Sequence, residues 1–157
     1  MNELPLGGAW RQAHMGYWLT RASARFDARV LALMSRNDST PLALANLAAR
    51  GYLTASHVHI TQHLSLAGSR LTELAARAGV SKQAMGKLVD QCEAWGLVQR
   101  QPDLRDARAC RVVFTEAGLS WLKAFKEAVT QAQTELQEAV GNEVATVMAI
   151  GLEAYAA

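Results

Sequence analysis

Between Leu71 and Gly96 the sequence spells two short helices joined by a tight turn. The segment Arg70 to Ala78 puts Leu71, Leu74 and Ala75 at helical spacing, with a start expected at Thr72 or just before it. Gly79 stands where a helix end calls for a residue that enters the left-handed region without steric cost. Val80 reads as a single apolar plug. Ser81 reads as the cap of a second helix, Lys82 to Trp95, which Gly96 ends. Helix, glycine turn, apolar residue and serine-capped helix is the sequence form of a helix-turn-helix. Leu71, Leu74 and Ala75 are expected to pack against Val80, Met85, Leu88 and Val89.

The second helix divides into two faces. Met85, Leu88, Val89 and Cys92 share one by three- and four-residue spacing. The other presents Ser81, Lys82, Gln83, Gly86, Lys87, Asp90 and Gln91. Ser, Gln and Lys side chains hydrogen-bond base edges and phosphates in a major groove. Gly86 costs a helix interior about 0.5–1 kcal/mol relative to Ala, and close approach of the backbone to DNA is a return for that cost. The plain alternative is a helix that faces water.

After Gly96 the periodicity changes. Leu97–Arg100 and Arg111–Thr115 read as two short strands, and the polar stretch Gln101–Cys110 as a protruding hairpin loop. Arg105, Asp106 and Arg108 crowd its tip. Arginines at such a tip enter a minor groove, where negative potential is concentrated. Asp106 is expected to fix an arginine through a bidentate pair. A solvated charged turn is the plain alternative here.

The flanks read as helices. Trp10 to Met34 forms one long helix, with Trp18, Ala22, Phe26, Val30 and Leu33 recurring at helical steps. Asn37–Pro41 breaks it, and a helix capped by Thr40 runs from Pro41 to Arg50. Thr54 or Ser56 caps the next, which carries Val58, Ile60 and Leu64 and ends near Ala67-Gly68. Thr115 caps a helix with Gly118 near its start, running to about Val140. Gly141-Asn142 separates it from a last helix, Glu143 to Ala156. Val144, Val147, Met148, Ile150 and Leu152 give that helix a wide apolar face, expected to meet a partner chain.

Composition sets the class. Half of the 157 residues are hydrophobic and 19% are charged, a globular balance. The net charge of +2 says little, but its distribution says more. Residues 70–111 hold eight Lys/Arg against five Asp/Glu, and residues 112–157 hold two against six. Positive charge thus collects where phosphate would be met. Cys92 and Cys110 form neither a metal-spaced pair nor a disulfide framework, so a reduced, cytoplasmic protein is expected. Cys92 reads as a small core filler, and Cys110, at a strand edge, as the more reactive thiol, with no redox role expected. No signal peptide, membrane span, cofactor motif or catalytic constellation is visible, and an enzyme is not expected.

Several pieces of this pattern coincide with one family. They are Leu71-Thr72-Glu73-Leu74-Ala75, Gly79-Val80-Ser81-Lys82, Gly96-Leu97-Val98-Gln99-Arg100, Asp106-Ala107-Arg108-Ala109, and Thr115-Glu116-Ala117-Gly118. Over residues 53–120 the chain resembles the MarR family of bacterial winged helix-turn-helix regulators, and more loosely toward both ends. The resemblance implies that the helix after the turn reads the major groove through Ser81, Lys82, Gln83, Gly86 and Lys87. It also implies that Asp106 and Arg108 of the wing reach the minor groove or backbone. Phe114 stands where the family has Leu, Cys92 where a core Leu is usual, and residues before Leu53 read as two helices.

His57, His59 and His63 precede the motif, and His59 and His63 lie one helical turn apart, a spacing that can chelate zinc. No metal site is expected, because no carboxylate or Cys stands nearby in sequence. A metal-sensing regulator built on these three histidines is one alternative. A winged-helix protein-interaction module without DNA binding is the other. By resemblance, the same region lies where the family binds aromatic or phenolic effectors, which suggests a pocket lined by some of Trp18, His57, His59 and His63 near Trp121.

These readings combine into one expectation. The fold is mainly α with a small β-hairpin wing, a winged helix-turn-helix flanked by N- and C-terminal dimerisation helices. Residues 1–52 and 119–157 dimerise and residues 53–118 bind DNA. The function is ligand-responsive repression from a near-palindromic operator, bound as a homodimer. The DNA contacts are Ser81, Lys82, Gln83, Gly86, Lys87, Gln91, Arg105, Asp106 and Arg108.

Overall fold

A computed structural model describes residues 8–157, apart from the side chains of Val58 and His59. The expectations placed on residues 1–7 and on the ring of His59 lie outside the described residues. After a short 3-10 turn at Gly8–Gln12 come α1 (Met15–Met34), α2 (Leu42–Ala49), α3 (Ala55–His63), β1 (Ser69–Arg70), α4 (Leu71–Ala78) and α5 (Lys82–Ala94). The chain continues through β2 (Val98–Pro102), β3 (Cys110–Phe114), α6 (Glu116–Val140) and α7 (Asn142–Ala156). The architecture is mainly helical with a small antiparallel sheet, as the hydrophobic periodicity foretells.

Local chemistry sets most boundaries. The Ser81 and Thr115 hydroxyls accept the main-chain N–H of Ala84 and Gly118, capping α5 and α6. Gly79 ends α4 at φ +66°, the left-handed region that favours glycine. Other boundaries differ from expectation. The first long helix starts at Met15 rather than Trp10, because the His14 ring accepts the Tyr17 N–H and caps it there. Thr40 does not cap α2; Pro41 holds that position, and the Thr40 hydroxyl is buried without a hydrogen-bond partner among the described residues. Helix α3 ends at His63 rather than near Ala67. The hairpin loop is shorter than expected, since β2 extends to Pro102 and β3 begins at Cys110.

Strand β1 is an addition that no periodicity announced. Two residues long, it pairs with β3 (Ser69 opposite Val112, Arg70 opposite Arg111) and makes the sheet order β1-β3-β2. Val80 is also not a plug, being 40% exposed, so the turn is held by backbone bonds such as Val80 N–H to Ala75 C=O.

The core is one cluster. Met34, Leu44, Leu53 and Ile60 from the first helices meet Leu74, Met85, Val89 and Cys92 of the motif, then Leu97, Val98, Val112 and Trp121. Helix α6 runs along α1, and Arg29 closes the pair with a two-bond clasp on Glu135, Nε to Oε2 and Nη2 to Oε1, both 2.7 Å. At the other end the Asn37 amide donates to Glu127 at 2.7 Å. Gly118 lets α6 start against the sheet. A Cβ there would lie 1.9 Å from the Leu97 carbonyl oxygen.

Candidate nucleic-acid interface

Helix α5 is fixed from behind and left bare in front. Met85, Val89 and Cys92 are buried, while Ser81, Lys82, Gln83, Lys87, Asp90 and Gln91 are exposed and Gly86 is half-buried. The separation follows from helical spacing, as expected. Burial pushes the Cys92 thiol up to about 12, so it stays protonated as a core filler, whereas Cys110 is exposed.

Two members of the polar face are already engaged. Asp90 accepts Arg100 Nη2 at 2.6 Å, and Glu93 accepts both the Arg100 main chain and its guanidinium. Strand β2 is thereby clamped onto the helix it follows. The Gln91 carbonyl oxygen lies 2.7 Å from His57 Nε2 on α3. Lys82, Gln83 and Lys87 leave their polar ends free toward solvent, and among the described residues neither lysine has an ion-pair partner.

The hairpin stands beside that face. Its root is Asp103, a buried carboxylate that sequence reasoning missed. Its Oδ1 accepts the Arg105 main-chain N–H at 2.8 Å and its Oδ2 accepts Arg70 Nε at 2.9 Å. Those two bonds, the Arg105 N–H first, hold the Asp103 carboxyl below the usual carboxylate range. Pro102-Asp103-Leu104-Arg105 is the signal that could have found it, because Asp accepts from the main chain two residues on in an Asx-turn. Asp106 does not make the expected bidentate arginine pair. Its Oδ1 accepts the main-chain N–H of Arg108 at 3.1 Å, which shapes the tip while leaving the guanidinium unclaimed. Arg105 and Arg108 are exposed, as is Leu104.

The eight cations of residues 70–111 therefore sort into two sets of four. Arg70 and Arg100 are ion-paired, Arg111 donates to the carbonyls of Ala67 and Gly68, and Arg77 donates to Ser69 Oγ at 3.1 Å. Lys82, Lys87, Arg105 and Arg108 remain, all exposed and without an acidic partner among the described residues. Two sit on α5 and two on the hairpin, a distribution suited to a polyanion that runs past both.

Of the residues expected to line an effector pocket, Trp18, His57 and His63 are described, and the ring of His59 is not. Trp18 is 56% exposed on α1 against Tyr17. His57 is buried, with Nδ1 accepting the Thr54 N–H at 3.1 Å and Nε2 at Gln91. A cleft does exist between α1, α3 and α6, lined by Phe26, Val30, Leu31, Gln62, Phe125 and Val129. It encloses about 20 Å³, room for one water molecule but not for an aromatic ring. Neither Trp18, His57 nor His63 lines it. Among the described residues no group of three or more His, Cys, Asp or Glu could hold a metal ion. No described helix is long and apolar enough to cross a membrane.

Among the described residues, helix α7 carries the largest run of bare apolar side chains. Only Ala145 is buried, while Val144, Val147, Ile150, Leu152 and Tyr155 are exposed.

Comparison with known proteins agrees with this geometry. The MarR family model matches residues 62–109, from the end of α3 through the hairpin. No curated protein matches the sequence well enough to count as a relative. Solved MarR-family structures share the fold over nearly the whole chain. The transcriptional repressor CouR bound to a 23-mer DNA duplex is 23% identical, with a TM-score of 0.72, covering 99% of this chain and 100% of its own. CouR from Rhodococcus jostii bound to p-coumaroyl-CoA is 22% identical, with a TM-score of 0.66, over 92% of this chain and 93% of its own. A mutant MarR from E. coli complexed with operator DNA is 18% identical, with a TM-score of 0.67, over 97% and 99%.

Proposed function

We propose, from the premise that residues 62–109 form a MarR-family winged helix, that this chain is a DNA-binding transcriptional regulator rather than an enzyme. The observation that carries the reading is the bare polar face of α5 beside a projecting hairpin, with Lys82, Lys87, Arg105 and Arg108 unpaired among the described residues. In this reading α5 lies in the major groove. Ser81, Lys82, Gln83 and Lys87 meet bases and phosphates there, and Gly86 lets the backbone approach closely. Arg105 and Arg108 reach the adjacent minor groove or its phosphates, and Asp106 holds the tip in shape. Gln91 contributes through its tie to α3 as well as by its place on this face.

The protein acts in the cytoplasm as a homodimer. Residues 1–52 and 119–157 supply the pairing helices, and residues 53–118 supply the DNA-binding core. The exposed apolar face of α7 supports that division, because a second copy would take it out of water. Two recognition helices related by a two-fold axis require a near-palindromic operator with half-sites about one DNA turn apart. Occupying such a site blocks a promoter, and repression follows. A small aromatic or phenolic effector that prefers a differently spaced dimer releases the DNA by shifting the population between two states. The cleft between α1, α3 and α6 is the place for it, and at about 20 Å³ it must open to admit one.

Selection of bound duplexes from a random pool tests the reading. Recovery of a two-fold symmetric consensus supports it. Recovery of no sequence, or binding that salt does not weaken, favours a protein-interaction module instead. Thermal-shift measurements with phenolic acids test the effector, and no stabilisation by any of them counts against it.

A further inference from the structure

His57 and Gln91 stand out in the sequence for separate reasons, and the structure joins them. The directions of the hydrogen bonds at His57 fix its chemistry. Nδ1 accepts the Thr54 main-chain N–H at 3.1 Å and lies 2.9 Å from the Thr54 hydroxyl, so Nδ1 carries no proton. The neutral ring then has its proton on Nε2, which donates to Gln91 Oε1 at 2.7 Å. The same ring meets Trp95 edge-on, with centroids 4.7 Å apart. Gln91 and Trp95 are one helical turn apart on the C-terminal half of α5 and its cap. One buried side chain of α3 therefore grips α5 at two successive turns while also serving as part of α3's own N-terminal cap.

We propose that His57 is a positioning residue for DNA binding, a strut that sets the pose of the recognition helix relative to α3. The inference rests on the DNA-binding reading above and deepens it. Its consequence is a route for regulation. Ala55 and Gln62 of α3 line the cleft between α1, α3 and α6, on either side of His57 in sequence. A molecule that widens the cleft by moving α3 carries the His57 ring with it, and the bond to Gln91 passes that movement to α5. The hydrogen bond is one of the two contacts that the ring makes with α5, and a change at His57, on α3, cuts it without replacing a residue of the polar face.

Two substitutions separate the two halves of the ring. Asn places its amide near the position of Nδ1, so His57→Asn can keep the Thr54 cap but loses the reach to Gln91. Gln places its amide near the position of Nε2, so His57→Gln keeps a donor for Gln91 and loses the cap. The full chain and its Asn and Gln variants are titrated by fluorescence anisotropy against the duplex that the wild type selects. Amide hydrogen exchange is measured on the same proteins without DNA. His57→Asn should bind about five- to tenfold more weakly, the loss expected for one half-buried hydrogen bond, with an unchanged salt slope. Exchange in α5 should quicken while α6 stays protected. His57→Gln should bind within about twofold of wild type, because the donor to Gln91 is kept.

Equal affinities for wild type and His57→Asn overturn the strut, and equal losses in both variants overturn its action through the bond to Gln91. Unchanged α5 exchange in His57→Asn overturns it without reference to DNA. Failure of the wild type to select any duplex overturns the DNA-binding reading, and the role of His57 in DNA binding falls with it. The exchange result then separates that outcome from a strut that does not exist.

Discussion

Asp103, at the root of the hairpin, accepts a hydrogen bond from Arg70 at the start of the helix-turn-helix, with Nε and Oδ2 2.9 Å apart. The two residues are 33 positions apart in sequence, and the bond ties the part that would read bases to the part that would grip the groove beside them. The small third strand makes the bond possible, because Arg70 pairs with Arg111 of β3 and is thereby held near the hairpin.

Asp103→Asn keeps an acceptor for the Arg105 N–H but removes the charge that Arg70 meets. DNA affinity should fall about fivefold, with little change in the melting temperature, because half of this pair is exposed. Anisotropy titration and thermal denaturation check both halves. Unchanged affinity would mean that the hairpin holds its position without this tie.

Glu135 gives a pH prediction of defined sign. The Arg29 clasp, aided by the Gln131 amide, holds its carboxyl at about 2, below the ordinary value of 4.5. A depressed folded value means that the clasp stabilises the fold fully above pH 4.5 and loses that effect as pH falls toward 2. The difference in melting temperature between wild type and Glu135→Gln should be largest above that window and shrink through it. A difference independent of pH would contradict the assignment.

Gly118 and Gly86 should respond oppositely to alanine. Gly118→Ala drives a methyl into the Leu97 carbonyl at 1.9 Å and should destabilise the fold by about 1–3 kcal/mol or more. Gly86→Ala meets only the end of Leu71 at 3.9 Å and should stabilise α5 by about 0.5–1 kcal/mol. If the backbone at Gly86 approaches DNA, that more stable variant binds DNA less tightly. Denaturant melts beside binding titrations separate the two effects.

Val147 is 70% exposed in the middle of α7, so Val147→Asp costs the single chain little. In a dimer it would bury a charge in an apolar contact. Sedimentation velocity should show wild type as a dimer and the variant shifted toward monomer at micromolar concentration. A wild type that sediments as a monomer would remove α7 from the interface.

Much of this was legible because local chemistry and tertiary packing agree. The Ser81 and Thr115 caps, the Gly79 turn and the split faces of α5 depend on residues near one another in sequence. What stayed hidden depends on distant partners. Strand β1 is two residues long and exists only because β3 accepts it. His57 looks like a pocket or metal residue until Gln91 is found beside it, 34 positions away. Asp106, the more conspicuous acid at the tip, bonds locally, while Asp103 makes the long-range tie. Eight cations of residues 70–111 read alike in sequence, and only the folded structure separates the four that bind internal partners from the four that face solvent.

The central claim is that α5 and the hairpin together grip duplex DNA. It is tested most directly by the salt dependence of binding for wild type and Arg108→Ala on the selected duplex. In wild type the logarithm of the binding constant should fall linearly with the logarithm of salt concentration. Arg108→Ala should bind more weakly across sequences, with a slope shallower by about 1, as one fewer phosphate is neutralised. Identical affinity and slope in the two proteins would contradict the account.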